Sequence, residues 1–114
     1  MPPEQHLWGQ ASPLHVDAVV QIVRCHGRTG GSSSLHLHRH KSNTFLVRKG
    51  RMRIDVGETE IVLGTGDSFT VRPGLRHRMT FLQDTDLIEL YTALPGQAVD
   101  PADIVRFDEG QSPG

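Results

Sequence analysis

The stretch Arg51-Met52-Arg53-Ile54-Asp55-Val56 alternates apolar and polar residues, so Met52, Ile54 and Val56 share one face of a strand while Arg51, Arg53 and Asp55 take the other. Val56-Gly57-Glu58-Thr59 reads as a tight hairpin into Glu60-Ile61-Val62-Leu63, and Gly64-Thr65-Gly66-Asp67 as a second turn. Working outward, the same period of two predicts strands over Val16–Arg24, Ser34–His40, Thr44–Arg48, Ser68–Arg72, His77–Leu82 and Leu87–Thr92. That makes about eight strands at spacings near ten residues, with no helical periodicity, and predicts an antiparallel all-β sandwich or barrel. Twelve glycines and seven prolines in 114 residues agree with a chain that reverses often.

This length accommodates one domain. We expect a barrel over residues 14–94, an N-terminal arm over 1–13 carrying Pro2, Pro3 and Pro13, and a C-terminal tail over 95–114 carrying Pro95, Pro101 and Pro113. The formal charge of −1 argues against a basic nucleic-acid coat and against a polyacidic tail. Between Ala18 and Ile54 there are eight Lys and Arg and no acid. Alternation nevertheless puts Arg39 and Lys41 on the face opposite His38 and His40, and Arg76 and Arg78 opposite His77, which reads as a solvated outer face with no nucleic-acid partner. The single cysteine, Cys25, excludes an intrachain disulfide and a cysteine-based zinc ribbon, and reads as a small buried apolar residue in a reducing compartment. No apolar run approaches the ~18 residues of a membrane span, and the first residues lack a basic start followed by an apolar stretch. The expectation is a cytoplasmic protein with no membrane partner.

Seven histidines stand out. In Ser34-Leu35-His36-Leu37-His38-Arg39-His40-Lys41-Ser42-Asn43-Thr44-Phe45, His36, His38 and His40 fall on one face of an extended strand. His77 follows the turn Arg72-Pro73-Gly74-Leu75-Arg76 and opens another strand. Two alternating histidines and a third after a glycine turn form a joint pattern for a three-histidine metal site with open positions for water or substrate. His6, His15 and His26 lie outside this pattern.

These residues resemble the cupins, whose first motif is Gly, five residues, His-x-His, three or four residues, Glu, six residues, Gly. The chain has Gly30, five residues, His36-Leu37-His38, four residues, Asn43, six residues and Gly50. The second motif, Gly-Asp, four residues, Pro-x-Gly-x-x-His, is matched by Gly66-Asp67 through Arg72-Pro73-Gly74-Leu75-Arg76-His77, with Arg72 in the usual proline place. The resemblance covers about Gly30–Thr92 and implies a double-stranded β-helix, a jelly-roll barrel with a metal ion on its inner face. It implies His36, His38 and His77 as ligands, with Asn43 in the glutamate place and His40 as an alternative fourth. Ser34-Leu35-x-x-His38-x-His40 and Asp103-Ile104-Val105-Arg106 are also similar to phosphomannose-isomerase-type cupins. In that register His36 takes a glutamine position, while His38 and His77 stay ligands. Loss of the carboxylate favours Zn²⁺, Fe²⁺, Ni²⁺ or Cu²⁺ over Mn²⁺.

Two functional classes follow. One is a metal-dependent enzyme acting on a small molecule in the barrel, with isomerase, epimerase, lyase or dioxygenase chemistry. Tyr91, Glu89 and His26 are its candidate acid–base residues, and alternation does not decide which of them faces inward. The other is a non-catalytic metal-binding or ligand-sensing module. Leu35 and Leu46 point away from an interior lined by Asn43, Phe45 and the histidines, so we expect a homodimer.

Overall fold

The computed structural model describes residues 2–114. Its strands are β1 (Glu4–His6), β2 (Gly9–Val16), β3 (Val20–Gly27), β4 (His36–Leu37), β5 (Lys41–Lys49), β6 (Arg51–Val56), β7 (Thr59–Gly64), β8 (Ser68–Val71), β9 (His77–Phe81), β10 (Thr85–Ala93) and β11 (Val105–Arg106), with no helix among the described residues. They pair antiparallel into a six-stranded sheet in the order β1-β2-β3-β10-β5-β8 and a five-stranded sheet in the order β11-β4-β9-β6-β7. This is the expected all-β jelly roll.

The hairpin that opened the reading is β6–β7, closed at Val56↔Thr59 around Gly57 at φ 57°. Its apolar row points inward, and Met52 and Ile54 are fully buried. Arg53 and Asp55 pair on the outer face at 2.9 Å. The interior is graded along the strands. Phe45 and Val47 on β5, Met79 and Phe81 on β9 and Leu87 on β10 form an apolar floor with Met52, Ile54 and Cys25. Further along the same strands, Lys41 and Asn43, His77, and Glu89 continue the inward rows as buried polar groups. Period two sends them to the core side, and only their chemistry differs from the floor. Leu46 lies on the outer face, 38% exposed, level with Ile88 across the sheet, while Leu35 is half-buried where its carbonyl accepts from Phe107 N at 2.8 Å.

Three expectations are corrected. First, the segments read as arm and tail are built into the sheets. Residues 4–6 and 9–16 are β1 and β2, and β11 pairs with β4 at Val105↔Leu37. Pro13 is tolerated in β2 because it lies past the end of the β1 pairing and beside a bulge, where its missing N–H breaks no ladder bond. Second, Val16–Arg24 is not one strand. Asp17 turns the chain by accepting from Val19 N at 2.7 Å and Val20 N at 2.9 Å. Third, Ser34–His40 contains only the two-residue β4, and the chain bends before β5 restarts at Lys41. The bend shifts the alternation, so His40 and Arg39 are exposed while Lys41 is buried.

Trp8, in the region read as an arm, shows how firmly that region is held. It is 6% exposed, its ring centroid lies 5.4 Å from that of Phe81, and its carbonyl accepts from Arg28 N at 2.8 Å. The Phe81 ring occupies the space a side chain at residue 27 would need, since a Cβ on Gly27 would meet it at 2.3 Å. Trp8→Ala is expected to lower unfolding free energy by about 3–5 kcal/mol in urea titrations. Unchanged stability would mean that residues 4–16 are not part of the core.

Candidate metal centre

His36 and His77 are direct cross-strand partners on β4 and β9. His38, two residues beyond His36, reaches the same side. The ring centroids are 4.5 Å apart for His36–His77, 5.1 Å for His36–His38 and 5.3 Å for His38–His77, and one ring nitrogen from each lies within 4.8 Å of the others. The second-motif turn is tied to the first motif by Gly74 N donating to the His38 carbonyl at 2.6 Å, with Gly74 at φ 84°.

Each ring is oriented by a backbone carbonyl. His36 Nδ1 donates to Ser34 O at 2.8 Å, His77 Nδ1 to Leu75 O at 2.9 Å and His38 Nδ1 to Asp103 O at 2.7 Å. A carbonyl can only accept, so each Nδ1 carries the proton and each Nε2 keeps its lone pair. The Nε2 atoms of His38 and His77 are buried without a hydrogen-bond partner among the described residues. Burial, with the neighbouring rings for His36, pushes the imidazoles below their usual value, to about 3 for His36 and about 4 for His38, and His77 shifts the same way by burial. All three are neutral at pH 7. Neutral imidazoles with Nδ1–H held by carbonyls and converging bare Nε2 atoms are the donor set of a divalent transition ion, so the residues fit the metal the motifs imply.

The other sequence candidates fall in different places. Asn43 is fully buried, stands level with Tyr91 across β5 and β10, and neither atom of its amide meets hydrogen-bond geometry with a partner among the described residues. His40 is exposed and does not join the cluster. His26 is exposed on the outer face beside Asp86 and does not line the cavity, because it is one residue out of phase with inward Cys25. Glu89 and Tyr91 share the inward phase of β10, and Tyr91 Oη donates to Glu89 Oε2 at 2.8 Å. Burial pushes the Glu89 carboxyl up, opposed by Tyr91, the Cys25 thiol and Lys41.

Beside the histidines opens a cavity of about 230 Å³, lined among others by His36, His38, Lys41, Glu89, Tyr91 and Arg106. The Tyr91 ring meets that of His38 edge-on at 5.3 Å, which puts the Glu89–Tyr91 pair next to the histidine cluster. Lys41, read from sequence as a solvated cation, is 3% exposed. Its Nζ donates to Asp100 O at 2.9 Å and sits 4.4 Å from the Tyr91 ring centroid, and burial pulls its pKa down. Sequence reasoning missed Lys41 and Asp103. The run of polar residues after His38 could have flagged the break in alternation, since Arg39-His40-Lys41-Ser42 has no apolar position to set a face.

Comparisons with known proteins agree with this geometry. A Cupin domain family model matches residues 24–92, from within β3 to within β10. Xanthan biosynthesis protein XanB of Xanthomonas campestris pv. campestris is 26% identical over 102 residues, covering 90% of this chain and 22% of that protein. The chain therefore spans about a fifth of the length of the curated relatives it matches. Among solved structures, the nucleoside dehydratase Pac13 superposes with a TM-score of 0.79 at 15% identity, covering 97% of this chain and 87% of its own. An RmlC-like cupin from Shewanella frigidimarina gives 0.74 at 24% identity, covering 83% and 86%. With both cupin motifs on one jelly roll and the family model spanning more than half its length, this chain belongs to the cupin family.

Proposed function

We propose that this protein is a metal-dependent enzyme that moves a proton on a small, oxygen-rich molecule held in the barrel, as an isomerase, epimerase or lyase does. The observation that carries the reading is the convergence of buried, unpartnered Nε2 atoms on His38 and His77 beside His36. A divalent transition ion on these three ligands, Zn²⁺ or Fe²⁺ before Mn²⁺, supplies Lewis-acid polarisation of a carbonyl or hydroxyl oxygen.

The chain's own residues supply the rest. Glu89 is the proton-transferring group, because its carboxylate lines the cavity and its raised pKa makes it a better base than a solvated carboxylate. Tyr91 orients that carboxylate through its 2.8 Å hydrogen bond. Lys41 presents a buried ammonium to the same cavity and favours an acidic group on the ligand. The cavity volume suits a molecule of roughly ten non-hydrogen atoms rather than a polymer. Pac13 is named a nucleoside dehydratase, and loss of water from a hydroxyl-bearing molecule is chemistry of this kind. A second reading, a non-catalytic ligand sensor, is favoured by Asn43, which puts a neutral amide where the motif carries a carboxylate.

Metal analysis of purified protein should find about one ion per chain, lost in His36→Ala, His38→Ala and His77→Ala. Metal persisting in the triple variant would refute the site. Incubated in D₂O with a panel of small hydroxy-carbonyl sugars and sugar acids, the zinc-loaded protein should exchange solvent deuterium into a carbon adjacent to a carbonyl. Glu89→Gln should slow that exchange at least ~100-fold while keeping its metal. Ligand binding without exchange would support the sensor. The three rings also tie metal-free stability to pH. Their folded pKa values lie below the ordinary 6.5, so the unfolded chain binds more protons at mildly acidic pH. Stability is complete above pH 6.5 and falls as pH drops towards 4, beginning before the ordinary carboxylates protonate. Urea midpoints of chelator-treated protein that stay flat between pH 7 and 5 would contradict the buried neutral tautomers.

A further inference from the structure

The turn Asp100-Pro101-Ala102-Asp103 sits between the six-stranded sheet and β11, and its contacts run to the centre of the barrel. Asp103 N donates to Asp100 O at 3.0 Å, and Ala102 N to Asp100 Oδ1 at 2.9 Å, with proline at the second position as such turns favour. Both carbonyls of this closed turn face the site. Asp100 O takes Lys41 Nζ at 2.9 Å, and Asp103 O takes His38 Nδ1 at 2.7 Å.

The side chain of Asp103 adds a second link. Its Oδ1 accepts from Arg39 N and its Oδ2 from His40 N, each at 2.8 Å. These are the backbone groups that lose ladder partners where the chain bends between β4 and β5. One residue therefore satisfies the bend and orients the ring that precedes it. The bend is also what separates His38 from His40. Continued extended backbone would keep both on one face, whereas the capped bend leaves His38 inside at 4% exposure and His40 in solvent.

We propose that Asp103 is a positioning residue of the metal centre, selecting His38 over His40 as the ligand and coupling the docking of residues 100–106 to metal binding. This rests on the three-histidine reading of the site. Docking and metal binding are linked reciprocally: whatever the seated turn adds to metal affinity, the bound metal returns to the seating of the turn.

The test compares wild type, Asp103→Ala and Asp103→Asn in three measurements. The first is Zn²⁺ affinity by competition with a chromophoric chelator. The second is the His38 ring tautomer in metal-free protein by nitrogen NMR. The third is protease cleavage of residues 95–106 with and without Zn²⁺. Asp103→Ala is expected to bind Zn²⁺ about 10–100-fold more weakly, the range for loss of a group that orients a ligand. Asp103→Asn, able to cap only one of the two N–H groups, should fall between and guards against a fold that fails in the alanine variant. Wild-type His38 should be protonated at Nδ1, with mixed tautomers in the variants, and Zn²⁺ should slow cleavage in wild type more than in Asp103→Ala. Unchanged Zn²⁺ affinity and unchanged tautomer in both variants would overturn the proposal. Wild type that takes no Zn²⁺ would overturn the three-histidine reading instead, and the tautomer measurement would still decide whether Asp103 orients His38.

Discussion

Three imidazoles packed edge to edge inside a small barrel must each place one ring N–H, and the rest of the site follows from how that demand is met. A buried donor left without an acceptor costs about 1–3 kcal/mol, so three unplaced N–H groups would consume much of the stability of a domain of this size. The carbonyls of Ser34, Leu75 and Asp103 accept them. These belong to three separate segments, the entry to β4, the turn before β9 and the turn before β11. Once they are in place, the tautomers are set and each Nε2 keeps its lone pair, those of His38 and His77 buried in the cluster. The docked C-terminal segment supplies the acceptor for one of the three rings, that of His38.

The graded interior explains how a chain with a modest apolar content carries such a site. Apolar inward positions are concentrated at one end, where Phe45, Phe81, Met52, Ile54 and Leu87 pack with almost no exposure. That end supplies the burial that holds the two sheets together. The other end is left free for polar groups, each satisfied or placed for a ligand: Glu89 by Tyr91, Lys41 by Asp100 and the Tyr91 ring, the histidines by carbonyls. Asn43 is the exception. At zero exposure its amide meets hydrogen-bond geometry with no partner among the described residues, and it stands where the cupin motif carries a carboxylate.

The sequence misled wherever local pattern competed with a longer-range contact. Their prolines make the two ends read as loose arms, yet Pro13 sits at a bulge past the end of its neighbour strand. Alternation carried through His38–Lys41 puts His40 and Lys41 on the wrong faces, because the chain bends there and Asp103, sixty-three residues from His40, accepts from the backbone N–H groups of the bend. His26 stands as an acid–base candidate in the sequence because Leu87–Tyr91 is apolar on both faces and alternation does not decide which candidate turns inward, whereas the structure leaves His26 exposed across from Asp86.

The sequence alone determined the all-β fold, the β6–β7 hairpin, the inward row Met52–Ile54, the inward Asn43 and Phe45, and the grouping of His36, His38 and His77. Each of these depends on short-range spacing, period two within a strand or a fixed offset around a glycine turn, and such spacing is written directly in the residues. Tertiary structure alone decided that Lys41 turns inward, that His40 turns outward, that Glu89 and Tyr91 rather than His26 face the cavity, and that Asp103 reaches the histidine cluster. The physical reason is common to all four. Which face a side chain takes is set by where backbone hydrogen bonds are satisfied across the sheet and by the segment that closes over it, and neither can be read from a residue's immediate neighbours.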